Sequence, residues 1–260
     1  IHCMLTVLSP AKKLSNECYS DTESPQSPQF LNQSEELVTQ LKQMDPVDLM
    51  SLMGISEKLA TLNWERMQAW NKPFKPNNSR EAVYSFQGDT YIGLDVETLD
   101  SNDLQFAQHN IRILSGLYGI LRPLDLMMPY RLEMGTKLKN RLGNNLYEYW
   151  NDTLAQSFNK ELTSHDNNVV INCASVEYFK SIDRPVLGAK VITPQFKEIK
   201  EGKLRMISFF AKKARGMMAR FIIQNRIENE KDILSFNLGG YNYDPSLSTP
   251  FIPVFTRPQA

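Results

Sequence analysis

Histidine and cysteine are both scarce in this 260-residue chain, and each scarcity removes a class of chemistry. His2, His109 and His165 stand far apart, no HExxH occurs, and no Glu-x-x-His pair marks a di-iron bundle. A metal catalyst or an iron store has no ligand set to start from, so no metal or other cofactor is expected. Cys3, Cys18 and Cys173 have no CxxC spacing and form no even framework; they read as reduced thiols of a cytoplasmic protein. Cys173 sits in an apolar run with no histidine beside it, which favours an inert buried thiol over a redox sensor. Long apolar runs are missing too: none approaches ~18 residues, so no membrane-spanning helix is available. No secretory pattern opens the chain, and Met4 reads as the natural initiator with residues 1–3 extraneous. Net charge is absent as well, at +0, which counts against a general polyanion binder.

What is present is a hydrophobic content of 42%, enough for a substantial core, with no linker between halves. The expectation is one mixed α/β (α+β) domain over residues 1–260. Charge is segregated along it. From Lys190 to Arg226 there are ten Lys/Arg against Glu198 and Glu201, and from Arg112 to Arg141 six against Asp125 and Glu133. Residues 81–103 hold six acids and no intervening base. Such segregation lets a neutral molecule present one positive and one negative face.

Hydrophobic spacing and caps place the elements. Leu5–Leu8 reads as a strand running into Ser9-Pro-Ala-Lys12-Lys13, where a hydroxyl and two ammoniums suit a phosphate, although an ordinary strand exit with solvated lysines fits equally. Helices are predicted at 30–44, 46–53 and 56–70, with Gly54 ending the second and Ser56 capping the third. A short helix follows at 80–86, and 90–94 reads as strand or extended loop. Ser101 is a plausible cap for a helix running towards Leu114, and residues 144–162 form one amphipathic helix. Val169–Cys173 is a buried strand, and Ser175 caps a short helix, placing Asn172, Ser175, Glu177 and Lys180 near a strand's C-terminal end, where α/β sheets often bind ligands. Residues 191–199 and 204–209 form a hairpin, and 210–226 a helix. On that helix Lys212, Lys213, Arg215, Arg220 and Arg226 share one arc with Gly216 and Ala219, opposite Phe210, Met217, Met218, Phe221 and Ile222. The basic arc reads either as a solvated face or as a phosphate-binding surface.

Residues 114–135, LSGLYGILRPLDLMMPYRLEMG, carry the densest pattern. Gly116 and Gly119 bracket Leu117 and Tyr118 in a turn, and Pro123 and Pro129 stiffen the chain beside Arg122 and Arg131. Together with VLSPAKKL at 7–14, VINCASVEYFKS at 170–181, ISFFAKKARGMMARFIIQNR at 207–226 and SFNLGGY at 235–241, this stretch resembles the YaaA family of peroxide stress resistance proteins, block by block over nearly the full length. The resemblance implies a cytoplasmic protein that limits peroxide damage to DNA and proteins by lowering unincorporated iron. It also implies a fold of the family's own, with a helix-hairpin-helix-like element, placed here at about 101–135, and a positive cleft binding DNA without sequence preference.

On that reading Gly116, Tyr118, Gly119, Arg122, Arg131, Lys212, Lys213, Arg215 and Arg220 contact DNA, and Ser9, Lys12, Lys13 and Lys180 contact phosphate. The usual hairpin signature has one residue between its glycines and this turn has two, so the motif by itself favours a structural tight turn. Tyr118 and Tyr130 suit base stacking or the core. An enzyme reading stands beside this one. Ser9, Lys12, Arg122, Tyr130, Arg131, Glu133, Asn172, Ser175, Glu177 and Lys180 supply acids, bases and anion clamps for chemistry on a phosphate-bearing small molecule or nucleotide, provided they converge. A monomer is the expected state.

Overall fold

The structure, a computed structural model, describes residues 4–162 and 168–259. His2, Cys3 and His165 lie outside the described residues. The chain begins with β1 (Met4–Leu8), buried along its whole length, and continues through α1 (Leu31–Leu41), α2 (Pro46–Met53) and α3 (Glu57–Ala69). The predicted stop and cap are in place, Gly54 taking φ +63° after α2 and Ser56 accepting from the Leu59 N–H, and Asp45 caps α2 by accepting from the Asp48 N–H. Next come α4 (Asp89–Leu94), α5 (Ser101–Asn110), β2 (Ile111–Ser115), β3 (Gly119–Leu121), α6 (Leu146–Trp150) and α7 (Thr153–Glu161). The remainder is β4 (Val169–Cys173), α8 (Val176–Phe179), β5 (Lys190–Ile192), β6 (Gln195–Lys200), β7 (Lys203–Arg205), α9 (Ser208–Gln224), β8 (Asn242–Tyr243) and β9 (Val254–Pro258).

Two larger sheets organise these elements. The first runs β3-β2-β1-β4-β5, with β2, β1, β4 and β5 parallel and β3 antiparallel at the edge. Its middle strands are buried along their whole lengths, as expected when both faces of a parallel sheet are covered. The second runs β7-β6-β9-β8, its β6–β7 hairpin turning at Glu201-Gly202, both with positive φ. Helix α9 touches both sheets and packs most closely on α4. That crossing is backbone against backbone: a Cβ on Gly93 would collide with the Lys213 carbonyl oxygen, and one on Gly216 with that of Thr90. One contiguous core joins residues from Met4 to Phe255. No helix among the described residues is long and apolar enough to cross a membrane.

Several expectations are corrected. The helix expected from Ser101 to Leu114 is capped by Asp100 and stops at Asn110; residues 111–115 are the strand β2. The Gly116–Gly119 turn therefore joins two strands of a sheet, not two helices, and all four of its residues are buried. Gly119 takes φ +71° beside Trp150 and Leu154, while Gly116 has no room for a Cβ against the Leu132 carbonyl oxygen. Residues 90–94 are helical because Gly93 seats them on α9, a tertiary contact that local strand propensity does not report. The helix expected over 144–162 breaks at Asn151, at φ 45°. The first hairpin strand divides, 190–192 joining the first sheet and 195–200 the second.

Candidate anion-binding pocket

Parallel β1 and β4 lie side by side and end at Leu8 and Cys173, so the loops leaving them emerge together. The Ser175 N–H donates to Ser9 Oγ at 2.8 Å, and Tyr91 Oη donates to the Ser9 carbonyl at 2.8 Å. These bonds tie the two strand exits to α4. At this point a cavity of about 580 Å³ opens, lined among others by Ser9, Lys12, Arg131, Glu133, Glu177 and Arg215. Lys13, Lys212, Asp89, Cys173, Ser175 and Tyr178 also line it, setting five cations against three carboxylates.

The five cations come from three separate segments of the chain. Lys12 and Lys13 are exposed on the loop after β1. Lys212 and Arg215 come from α9, held in place by the Gly93–Gly216 crossing. Arg131 and Glu133 lie on the segment after Pro129, which is clamped to the β2–β3 hairpin by Tyr130 Oη against Ser115 Oγ at 2.6 Å and by the close approach of Leu132 to Gly116. The glycine-rich turn thus serves the pocket from behind. Glu133 Oε1 sits 2.9 Å from Lys12 Nζ, and its Oε2 is 3.4 Å from Arg131 Nη2. Arg131 Nε is buried with no hydrogen-bond partner.

Burial lowers the pKa of the Arg215 guanidinium, an effect that Cys173 partly opposes. No carboxylate forms an ion pair with Arg215 among the described residues. The Cys173 thiol is pushed up to about 12 by burial, against a smaller opposing pull from Arg215. Burial likewise raises Tyr91, Tyr130 and Tyr178, so all three are neutral hydrogen-bonding groups rather than acids at physiological pH.

The pocket gathers Ser9, Lys12, Lys13, Arg131, Lys212 and Arg215 from the expected contact residues, and with them Tyr130, Glu133, Ser175 and Glu177. Others are placed elsewhere. Gly116, Tyr118 and Gly119 are buried; Tyr118 Oη donates to the Met128 carbonyl and accepts from Trp70 Nε1. In this fold no phosphate or base reaches them. Arg122 is committed to Asp125, 1% exposed, at 2.8 Å, and to the Ser27 carbonyl. Arg220 donates to the Leu94 and Asp95 carbonyls, closing the C-terminus of α4. Lys180 lies over the Tyr147 ring at 4.7 Å, and Lys213 is exposed outside the lining.

The two basic segments are also less free than their charge suggests. Arg112 pairs with Glu161 at 2.5 Å, Arg141 with Glu36, Lys190 with Glu230 and Arg226 with Asp103. Gly216 and Ala219 face the interior, so the arc opposite Met218 and Phe221 is only partly solvent-facing. Asp89, Tyr91 and Tyr178 are among the lining residues that the sequence does not single out. Tyr91 falls in the stretch read as strand or extended loop, Asp89 lies just before it, and Tyr178 sits inside a predicted helix with no chemical signal of its own.

Comparison with known proteins places the chain. The family profile described as "Peroxide stress protein YaaA" matches residues 4–247. A UPF0246 protein of Hahella chejuensis is 51% identical over 254 residues, covering 98% of this chain and 99% of that protein. A UPF0246 protein of Colwellia psychrerythraea is 49% identical over 257 residues, covering 99% and 100% respectively. With the strand exits, the glycine crossings and the basic lining all falling inside the matched span, the chain belongs to the peroxide stress protein YaaA family.

Proposed function

We propose that this chain acts in the response to peroxide by binding DNA without sequence preference, its positive cleft being the pocket at the ends of β1 and β4 with the lysines around it. The observation that carries the reading is Arg215, a largely buried guanidinium that lines the pocket beside Lys212 and has no carboxylate partner among the described residues. A buried charge without a counter-ion is costly, and an external anion removes that cost. Arg131, from the other basic segment, faces the same cavity. Lys200, Lys203 and Arg205 on the exposed β6–β7 hairpin, which leads into α9, extend the positive surface for a backbone to follow.

Protection of DNA and proteins through lower unincorporated iron is the physiological outcome proposed. The route to iron limitation proposed here is indirect, through the nucleic acid and not through a metal site of this chain. Charge reversal tests the cleft: Lys212→Glu, inside the lining, should weaken duplex binding more than Lys213→Glu on the same helix turn. Equal effects would remove the pocket from the binding surface. A second reading, an enzyme acting on a phosphate-bearing small molecule, is favoured by the cavity's volume of about 580 Å³, which suits a small-molecule site.

A further inference from the structure

We infer that the pocket receives the terminal phosphate of a nucleoside monophosphate, and that Glu133 occupies the place of that phosphate while no ligand is bound. This rests on reading the pocket as an anion site and goes beyond the duplex. Arginine recognises oxyanions best through two parallel N–H groups. On Arg131 the Nε and Nη2 edge is such a fork. Nη2 meets Glu133 at the long distance of 3.4 Å and Nε meets nothing, although Nε is buried. The other Glu133 oxygen holds Lys12 at 2.9 Å. One carboxylate thus bridges two cations, pairing closely with Lys12 and leaving the Arg131 fork unfilled.

A phosphate monoester is better matched to this arrangement. It carries up to two charges and three terminal oxygens, enough to fill the Arg131 fork and reach Lys12, with Lys212 and Arg215 on the same lining. Displacing Glu133 frees both of its cations at once. The neutral rings of Tyr91, Tyr130 and Tyr178, with Pro10 and Val176, give the same cavity an apolar lining suited to a base. Asp89 and Glu177 supply acceptors for sugar hydroxyls or base amino groups. Access favours the smaller ligand at this point: the Arg131 side chain is 16% exposed, so a terminal phosphate on a single nucleotide fills its fork more completely than a duplex backbone resting on the surrounding lysines.

Calorimetry with 2′-deoxyadenosine 5′-monophosphate, deoxyadenosine and inorganic phosphate tests this on the full chain. The monophosphate should bind at least about tenfold tighter than deoxyadenosine, as one charge-assisted contact allows. Lys212→Gln should weaken it by about fivefold, since the lysine is exposed. Glu133→Gln should tighten it by about fivefold, a gain that structural damage does not produce. Weaker binding by a folded Glu133→Gln protein would make the carboxylate part of recognition and overturn the inference. So would inorganic phosphate binding as tightly as the monophosphate, or the monophosphate binding no tighter than deoxyadenosine. A duplex lacking terminal phosphates separates the two readings. If it binds while the monophosphate does not, the inference fails and the DNA reading stands; the reverse result sinks the DNA reading alone.

Discussion

Gly93→Ala should destabilise this protein, although the same change inside a helix normally helps. Residue 93 lies within α4, where replacing glycine by alanine gains up to about 1 kcal/mol of helix propensity. Here the new Cβ would collide with the Lys213 carbonyl oxygen and crowd the Met217 N–H, both backbone atoms of α9. Neither can rotate away, so the helices must separate. Overpacking of this kind costs about 1–3 kcal/mol, and a backbone obstacle puts it at the upper end. With the propensity gain subtracted, the net loss is about 2 kcal/mol, or a fall in Tm of roughly 4–8 °C for a chain of this size. Because α9 carries Lys212 and Arg215 into the pocket, ligand affinity should fall along with stability. Thermal unfolding followed by circular dichroism measures the first effect. An unchanged or raised Tm would refute the claim that the α4–α9 crossing is set by backbone contact.

Three further outcomes follow from other parts of the molecule. Arg257→Ala should cost about 3–5 kcal/mol in urea unfolding, because it strands Glu198, 1% exposed and otherwise bonded to Tyr241; a loss under about 1 kcal/mol would mean the pair contributes little. Stability should fall as pH rises from about 9 towards 12: burial raises the folded pKa of Cys173 to about 12 and those of Tyr118 and Tyr130 higher still, so the unfolded chain releases protons that the native chain keeps, and flat stability across that window would contradict it. Cys173 should resist thiol reagents at pH 8 until the protein unfolds, whereas Cys18 is partly exposed; rapid native labelling of Cys173 would show the pocket floor opening.

The legible parts of the fold were those written locally. The caps at Gly54, Ser56 and Ser175, and the apolar runs of β1 and β4, are fixed by neighbours in sequence and were read at or near their observed places. The strand exits at Ser9 and Ser175 followed from them, whereas their meeting depends on the parallel pairing of β1 and β4, which only the fold shows. Residues 90–94, and the helix-hairpin-helix role that the resemblance implied for the Gly116–Gly119 turn, differ from the fold for one common reason, although the tight turn itself is where its glycines put it. Their glycines answer to distant backbone, at Lys213 and Leu132, and spacing along the chain carries no trace of such partners. The charges were misjudged similarly: Arg112, Arg122 and Arg226 resemble surface cations until Glu161, Asp125 and Asp103 are seen against them. Arg131 and Arg215 have no comparably close carboxylate partner, and only the fold distinguishes them from the rest.

The central claim is that phosphates are held by the pocket at the β1 and β4 exits, and the salt dependence of duplex binding tests it most directly. For the parent protein the log–log slope of affinity against salt should be roughly −3 to −6, and Lys212→Gln should make it shallower by about one. A flat slope, or a slope that Lys212→Gln leaves unchanged, would contradict the account.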